Sequence, residues 1–502
     1  MRTSSLPADT IDALPEGVRN GLLRRADWRF LLPDPRPRRA ACLATGALAR
    51  AVHLIADEVT EGGDLPHDCD LVVVADPDIA TLRRAWAHLR PGGALYAELP
   101  YGTTRRRLAT AGIREAALYW PWPSRSRARL WLPLDHPEAR AFLLENRYLL
   151  GHAVPPDGAR GLASAALRGA GFLHLRLGPW LPLCAVAVKP DGDSGGDPLE
   201  TPLLLCGGPR STSKAVALSF APGDPRPRLA VKISRLPEST ATLATEARIL
   251  EALAGREIPD GAPRLIFVRE EAGSIRVGET PVLGCPLHRL VNRRSYRELA
   301  LRGTEWLAAL AGRPAPEPPE RWRERLVEPV LAHFERSYGA VADGEALRRT
   351  REALGRLGPL PLVCEHRDFG PWNLVEPVEG GLGVLDWEGA ELSGLPGLDL
   401  LYFHAWLSFF LDGAVRKGQR ESYRRLLDPA TLQGAALKEA LALYADRTGV
   451  SMADLDVLRL LVWPLHARSE HHRLAADAAG NPDAAALRSG LFLGLWEEEA
   501  RR

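Results

Sequence analysis

The chain has 502 residues, 46% of them apolar and 25% charged, with a formal net charge of +1. This is the make-up of about three folded, domain-sized units, and it excludes a disordered chain or a global pull toward nucleic acid or an anionic membrane. The six cysteines are scattered without a C-x-x-C pair, the N-terminus lacks a signal-peptide core and no apolar run is long enough to cross a bilayer; no zinc site or disulfide framework is written here, and the expected compartment is the cytoplasm.

Up to about Arg39 the chain is polar, carries Pro33, Pro35 and Pro37, and reads as a strap on the first domain. From Ala40, the segments ACLATGALARAVHLIADEV, DCDLVVVADP, ATLRRAWAHLR and PGGALYAELP alternate strand and helix patterns, the sign of a doubly wound α/β sheet. Asp70-Leu-Val-Val-Val followed by Leu89-Arg-Pro-Gly-Gly resembles the second half of a class I S-adenosylmethionine methyltransferase, over roughly Ala40 to Pro100. That resemblance implies a glycine-rich cofactor loop after the first strand, yet Gly46 stands there alone, and Asp57 and Glu58 are only loosely positioned as ribose ligands. The domain is therefore expected to have lost methyl transfer. Tyr119-Trp-Pro-Trp-Pro reads as packing in a rigid connector, helical signals run from Ala139 to Ala170, and LGPWLPLCAVAVKP closes a methyltransferase-like domain of residues 1–190. Residues 191–199, rich in turn formers, are the expected linker.

Three β segments follow between TPLLLC and PRLAVKISR, as an antiparallel sheet requires. Lys232 falls inside the apolar run Leu229-Ala-Val-Lys-Ile and needs a partner; Glu246 is the expected one, on a segment where Leu243, Ala247, Leu250 and Leu253 recur at helical spacing, with Glu251 as the alternative. Gly207-Gly208 with Ser211, Thr212 and Ser213 is a candidate phosphate-covering loop, equally readable as a hairpin turn. RLIFV and SIRVGETPVLGCPL finish the sheet, and Arg297 to Leu310 and Trp322 to Tyr338 read as helices separated by a proline-rich turn.

The stretch from Val363 to Glu388 carries the chemistry. In VCEHRDFGPWNLV, Asp368 and Asn373 are spaced for a loop that turns both inward rather than for a helix face or a strand. A strand, the turn EPVEGGLG and a returning GVLD form a hairpin that brings Asp386 beside Asn373. A carboxylate for an attacking hydroxyl and oxygen ligands for a divalent cation are what phosphoryl transfer needs.

HRDFGPWN followed by LDWE resembles the motifs of the aminoglycoside phosphotransferase and choline kinase family. The resemblance implies an α+β bilobal protein-kinase-like domain, with an N-lobe at 200–285 and a C-lobe at 286–502, fused to the α/β N-terminal domain. It implies that Asp368 is the catalytic aspartate, that His366 braces its loop, and that Asn373 and Asp386 bind Mg2+ with Glu388 adding a contact. Lys232, held by Glu246, would position the ATP phosphates under the loop of Gly207, Gly208, Ser211 and Ser213. Gly284-Cys-Pro-Leu resembles the segment after the family's hinge, which places adenine against Pro281 to Leu283, with Val282 and Leu283 as contacts. Asp399, in GLPGLDLLYF, would brace the catalytic loop. Asp368-Phe369-Gly370 spells the metal motif of protein kinases, but the Asn five residues on and the later acidic strand make it the catalytic loop. The expected reaction is phosphorylation of a hydroxyl on an aminoglycoside-, sugar- or amino-alcohol-like small molecule, with no nucleic acid or membrane partner. A peptide or protein side-chain kinase and a non-catalytic scaffold are the alternatives. His466, His471 and His472 read as a solvated helix face.

Overall fold

The computed structural model describes residues 16–100, 102–103, 105–146, 149, 182–191, 201–207, 214–271, 274–377, 379–477 and 481–502. They divide into two units, Met1–Ala244 with Leu265–Pro281 and Thr245–Arg264 with Val282–Arg502.

The first unit is built on β1 (Arg39–Leu43), β2 (Glu58–Glu61), β3 (Cys69–Ala75), β4 (Leu89–Glu98), β5 (Ala116–Trp122), β6 (Leu130–Pro133), β7 (Cys184–Val188), β8 (Leu203–Leu205), β9 (Lys214–Phe220), β10 (Pro227–Ser234), β11 (Leu265–Glu271) and β12 (Ser274–Glu279). All twelve lie in one sheet, in the order β11-β12-β10-β9-β8-β6-β5-β7-β4-β3-β1-β2. β1 pairs in parallel with β2 and β3, and β3 with β4. These central strands are apolar on both faces, as a doubly covered parallel sheet demands: Leu71 and Val73 join one core cluster, Val72 and Val74 the other. Asp78 caps the helix Ile79–His88 by accepting the Thr81 N–H at 2.7 Å.

Two sequence expectations change here. Tyr119-Trp-Pro-Trp is strand β5, not a connector: Trp120 faces Leu132 and Pro121 faces Trp131 of β6. The expected linker lies almost wholly outside the described residues, and the units divide elsewhere, because β6 pairs with β8 through Leu130↔Leu205 and Trp131↔Leu204. That pairing makes the α/β strands and the antiparallel strands β8–β12 one continuous sheet.

The N-terminal segment is more than a polar strap. After the helix Glu16–Arg25, a 3-10 turn at Asp27–Leu31 is buried throughout, with Trp28 stacked on Tyr96 at 4.0 Å. Asp27 accepts from Arg235 Nε at 3.0 Å and pairs with Arg235 Nη2, while Arg29 donates to the Arg235 carbonyl at 2.8 Å. Burial pushes the Asp27 carboxyl up and the two arginines oppose that shift. Removing one partner of a buried pair leaves the other charge uncompensated, so Asp27→Asn is expected to cost about 3 kcal/mol in a denaturant titration.

The second unit is mostly helical: Tyr296–Ala311, Glu328–Tyr338, Gly344–Gly355, Leu398–Leu411, Gln419–Leu427, Leu432–Thr448, Met452–Asp477 and Leu491–Ala500 are its longer helices. The helix expected from Trp322 starts at Glu328, after a π-turn at Arg323–Val327, with proline in its first turn. β13 (Cys285–Pro286), β14 (Val363–Glu365), β15 (Leu374–Glu376), β16 (Gly383–Val384) and β17 (Glu391–Gly394) complete the site region. β13, β15 and β16 form a three-stranded sheet and β14 pairs with β17. Among the described residues, no helix is long and apolar enough to cross a membrane.

Candidate active site

β14 delivers a loop, residues 366–373, that leads into the β15–β16 hairpin. Leu374 faces Val384 across that hairpin and the Leu385 N–H donates to the Asn373 carbonyl at 2.8 Å. Asp386 follows at once, in the left-handed region at φ 71°. Arg367 is also left-handed, at φ 61°, an uncommon conformation for a residue with a side chain.

His366 is fully buried. Its Nδ1 accepts the Asp368 N–H at 3.3 Å and its Nε2 lies 2.9 Å from the Leu385 carbonyl, which assigns a neutral ring protonated at Nε2. It positions the loop and ties it to the hairpin. Asp399 accepts the His366 N–H at 2.6 Å and the Arg367 N–H at 2.8 Å, the bracing contact expected of it. Beneath the loop, Phe369 stacks on Trp306 at 5.4 Å and His366 meets Trp387 edge to face at 4.8 Å, so the apparent DFG phenylalanine is a core anchor.

Asp368 Oδ2 accepts from Asn373 Nδ2 at 2.7 Å and Oδ1 from the Tyr402 hydroxyl at 3.3 Å. Burial, then the charge of Asp386, push its carboxyl up to about 7, while hydrogen bonds from Asn373, Trp372 and Tyr402 act the other way. A carboxylate poised there suits proton acceptance near neutrality. Glu246, from the helix Pro237–Ala254, is buried and accepts the Trp387 N–H at 3.0 Å. Its carboxylate, Asp386 and Glu388 bring one oxygen each within 4.8 Å of one another, a hard, all-oxygen donor set of the kind Mg2+ takes. Asn373, expected among the metal ligands, turns its amide nitrogen to Asp368.

Lys232, in the first unit, is buried in β10 and pairs with Glu279 Oε1 at 2.9 Å. Sequence reasoning missed Glu279. Its signal is the alternation of SIRVGE, which puts Ile275, Val277 and Glu279 on one buried face, and Val277 sits opposite Lys232 in the register. Glu251, the alternative partner, is exposed. Gly207 is left-handed at φ 63°, and Gly208, Ser211, Thr212 and Ser213 lie outside the described residues. Val282 and Leu283 are half-buried, and β13, which follows them, pairs with β15. A Cβ on Gly383 would come within 2.4 Å of Val282 Cγ1, so glycine there lets the hairpin close on that segment. Tyr402 was also missed, and His466 is not on a solvated face: half-buried, it stacks on Tyr402 at 3.8 Å, and burial pushes it down to about 3. His471 and His472 are near His333, with ring centroids at 6.1 and 6.3 Å. Among the described residues they do not form a group with metal-ligand spacing.

Residues 217–437, under half the chain, match the model of the phosphotransferase enzyme family, and this stretch is a phosphotransferase enzyme domain. No curated protein matches the sequence. Solved structures similar to the chain include a GDP complex of an aminoglycoside 2'-phosphotransferase-IIIa mutant, at 15% identity over 59% of this chain and 90% of that one, TM-score 0.38. The aminoglycoside phosphotransferase APH(3'')-Id from Streptomyces rimosus, with ADP and streptomycin, is 19% identical over 50% and 90%, TM-score 0.33. A thermostable aminoglycoside phosphotransferase APH(4)-Ia mutant, with ADP and hygromycin B, is 14% identical over 58% and 94%, TM-score 0.32.

An unfolded aspartate titrates near 3.9, at about the lower end of the pH range that matters for Asp368. Because its folded carboxyl is raised, ionising it costs the folded state stability progressively as pH climbs from about 4 to about 7. Asp368→Asn is expected to stabilise the metal-free protein by about 2 kcal/mol at pH 8, a gain that fades toward pH 4; denaturant titrations at both pH values check it.

Proposed function

We propose that the chain is an ATP- and Mg2+-dependent phosphotransferase that phosphorylates a hydroxyl of a small molecule. The observation that carries this reading is the half-buried Asp368 carboxylate, oriented by Asn373 and Tyr402 and raised to about 7. It would take the proton of the acceptor hydroxyl as the oxygen bonds to the γ-phosphorus and the bond to the departing nucleoside diphosphate breaks. Glu246, Asp386 and Glu388, with Asn373 through its amide oxygen, would hold Mg2+, which when bound neutralises phosphate charge. Lys232 is the proposed phosphate contact and Val282 and Leu283 the proposed base contacts. The rate enhancement then comes from alignment and charge placement, without a covalent enzyme intermediate.

Asp368→Ala is expected to keep nucleotide binding, read by calorimetry with Mg2+ and ATP or GTP, and to lower transfer about a thousandfold. Asp386→Asn is expected to weaken the Mg2+ requirement's apparent affinity about tenfold or more. A wild-type protein that binds no nucleotide would sink the reading.

For the first unit we infer a scaffold role, supported by the β6–β8 pairing that runs its strands into β8–β12 and by the lone Gly46 after β1. S-adenosylmethionine is expected to leave the melting temperature unchanged; saturable binding in calorimetry would reverse that view.

A further inference from the structure

We propose that the acceptor lies on a wall of aromatic side chains beside Asp368 and is a neutral hydroxylated compound with a flat ring face, such as an aryl glycoside; this rests on the phosphotransferase reading of the same site. Tyr402, Trp406 and Phe410 follow one another at four-residue spacing on the helix Leu398–Leu411, so they share a face and span about 12 Å at the helical rise. The stripe begins at the catalytic carboxylate, where the Tyr402 hydroxyl meets Asp368 Oδ1. Trp372, from the catalytic loop itself, packs edge to face on Tyr402 at 6.2 Å and on Trp406 at 4.9 Å, and reaches Phe410 at 6.4 Å. His288 closes the far end, 5.2 Å from Phe410, its main-chain N–H on the Pro371 carbonyl.

Tyr402 is itself buried, but burial separates the other four rings from the ones below the loop. Phe369, Trp387 and Phe403 are fully buried and serve the core, whereas His288, Trp372, Trp406 and Phe410 are half-buried and keep exposed surface. Any acceptor must bring its O–H within hydrogen-bond reach of Asp368, so the rest of its body rests on what borders that carboxylate. Besides Asn373 and Asp386, what borders it is aromatic, Trp372 and Tyr402.

The same geometry selects against cations. An aromatic cage turns ring faces inward around a gap wide enough for an ammonium group. Here the centroids stand 4.9–6.4 Å apart, edge against face or, for Trp372 and Phe410, tilted, so the rings pack against one another rather than facing a gap. Burial, then Arg289, lower the pKa of His288, which keeps its ring neutral. Among the described residues, the hydrogen bonds of these five side chains reach one carboxylate, Asp368, where a polycationic acceptor would call for several.

The test uses the full chain with Mg2+ and ATP or GTP. Phenyl, naphthyl and 4-methylumbelliferyl glucosides are the ring-bearing probes, with kanamycin and choline as the cationic ones. At least one aryl glucoside is expected to be phosphorylated with kcat/KM about tenfold or more above either cation, the size of effect a lost ring stack produces. Trp406→Ala should raise its KM about tenfold with kcat within about twofold, and Trp406→Phe should restore it. Phe410→Leu gives a second, volume-conserving check should Trp406→Ala fail to fold, with the same direction in KM. Preference for kanamycin or choline, no response to any aryl glucoside by a chain that binds nucleotide, or wild-type KM in both variants overturns the proposal and leaves the phosphotransferase reading standing. Absence of nucleotide binding in the wild type defeats that reading, and this one with it.

Discussion

One carboxylate governs the geometry of the loop at residues 366–373. Asp399 accepts the N–H groups of two consecutive residues, His366 and Arg367, and so pins the backbone where Arg367 takes a left-handed conformation that costs about 1–3 kcal/mol. The clamp is itself demanding, because burial raises the Asp399 carboxyl and the two N–H groups and Arg367 pull it back. Glu365 is pushed up by burial in the same way, and Arg367 Nε at 3.1 Å offsets it. A Cβ on Gly394 would meet Glu365 Oε2 at 1.9 Å; glycine in β17 is what gives that carboxylate its place. The helix that supplies Asp399 also supplies Tyr402 one turn on. A single rigid element thus sets the loop's backbone, the orientation of the Asp368 carboxylate and the surface next to it.

The loop and hairpin were legible in the sequence because their signals are local. Charged and amide residues embedded in short apolar segments, separated by turn formers, define a loop followed by a hairpin, and the register from Asn373 to Leu385 follows. What was illegible depends on faces or on distant pairing. The helix Leu398–Leu411 is apolar on nearly every side and buried on most of them, so periodicity marks no particular face and could not single out Tyr402, Trp406 and Phe410. His466 sits among Arg468, Glu470 and the following histidines, and the local polarity hid its stacking on Tyr402. Glu279 ends a strand distant in sequence from Lys232, and only the β10–β12 register brings its face to the lysine.

The same distinction explains the first unit. Strand and helix alternation through Pro100 could be read residue by residue, because a parallel strand covered on both faces is a continuous apolar run. The β6–β8 pairing could not, since it joins Trp131 to Leu204 across a long stretch of chain and one of its strands follows a proline-broken segment that looks like a connector. Pro121, inside β5, is accommodated in its register against Trp131. The buried Asp27–Arg235 pair does similar long-range work at the side-chain level, holding the N-terminal segment to the end of β10.

The carboxylate group at the hairpin is assembled from one helix and one turn, Glu246 from Pro237–Ala254 and Asp386 and Glu388 at Trp387–Gly389. Glu246, Asp386 and Glu388 bring one oxygen each within 4.8 Å of one another. Asp386 is held there in a left-handed conformation, and the Glu246 carboxylate spends one oxygen on the Trp387 N–H beside it. Backbone strain at Asp386 and a raised Asp368 carboxyl are terms that a divalent cation, under the proposed function, would relieve or put to use. The left-handed Asp386 and the raised Asp368 carboxyl thus fall together at this hairpin rather than at scattered points of the second unit.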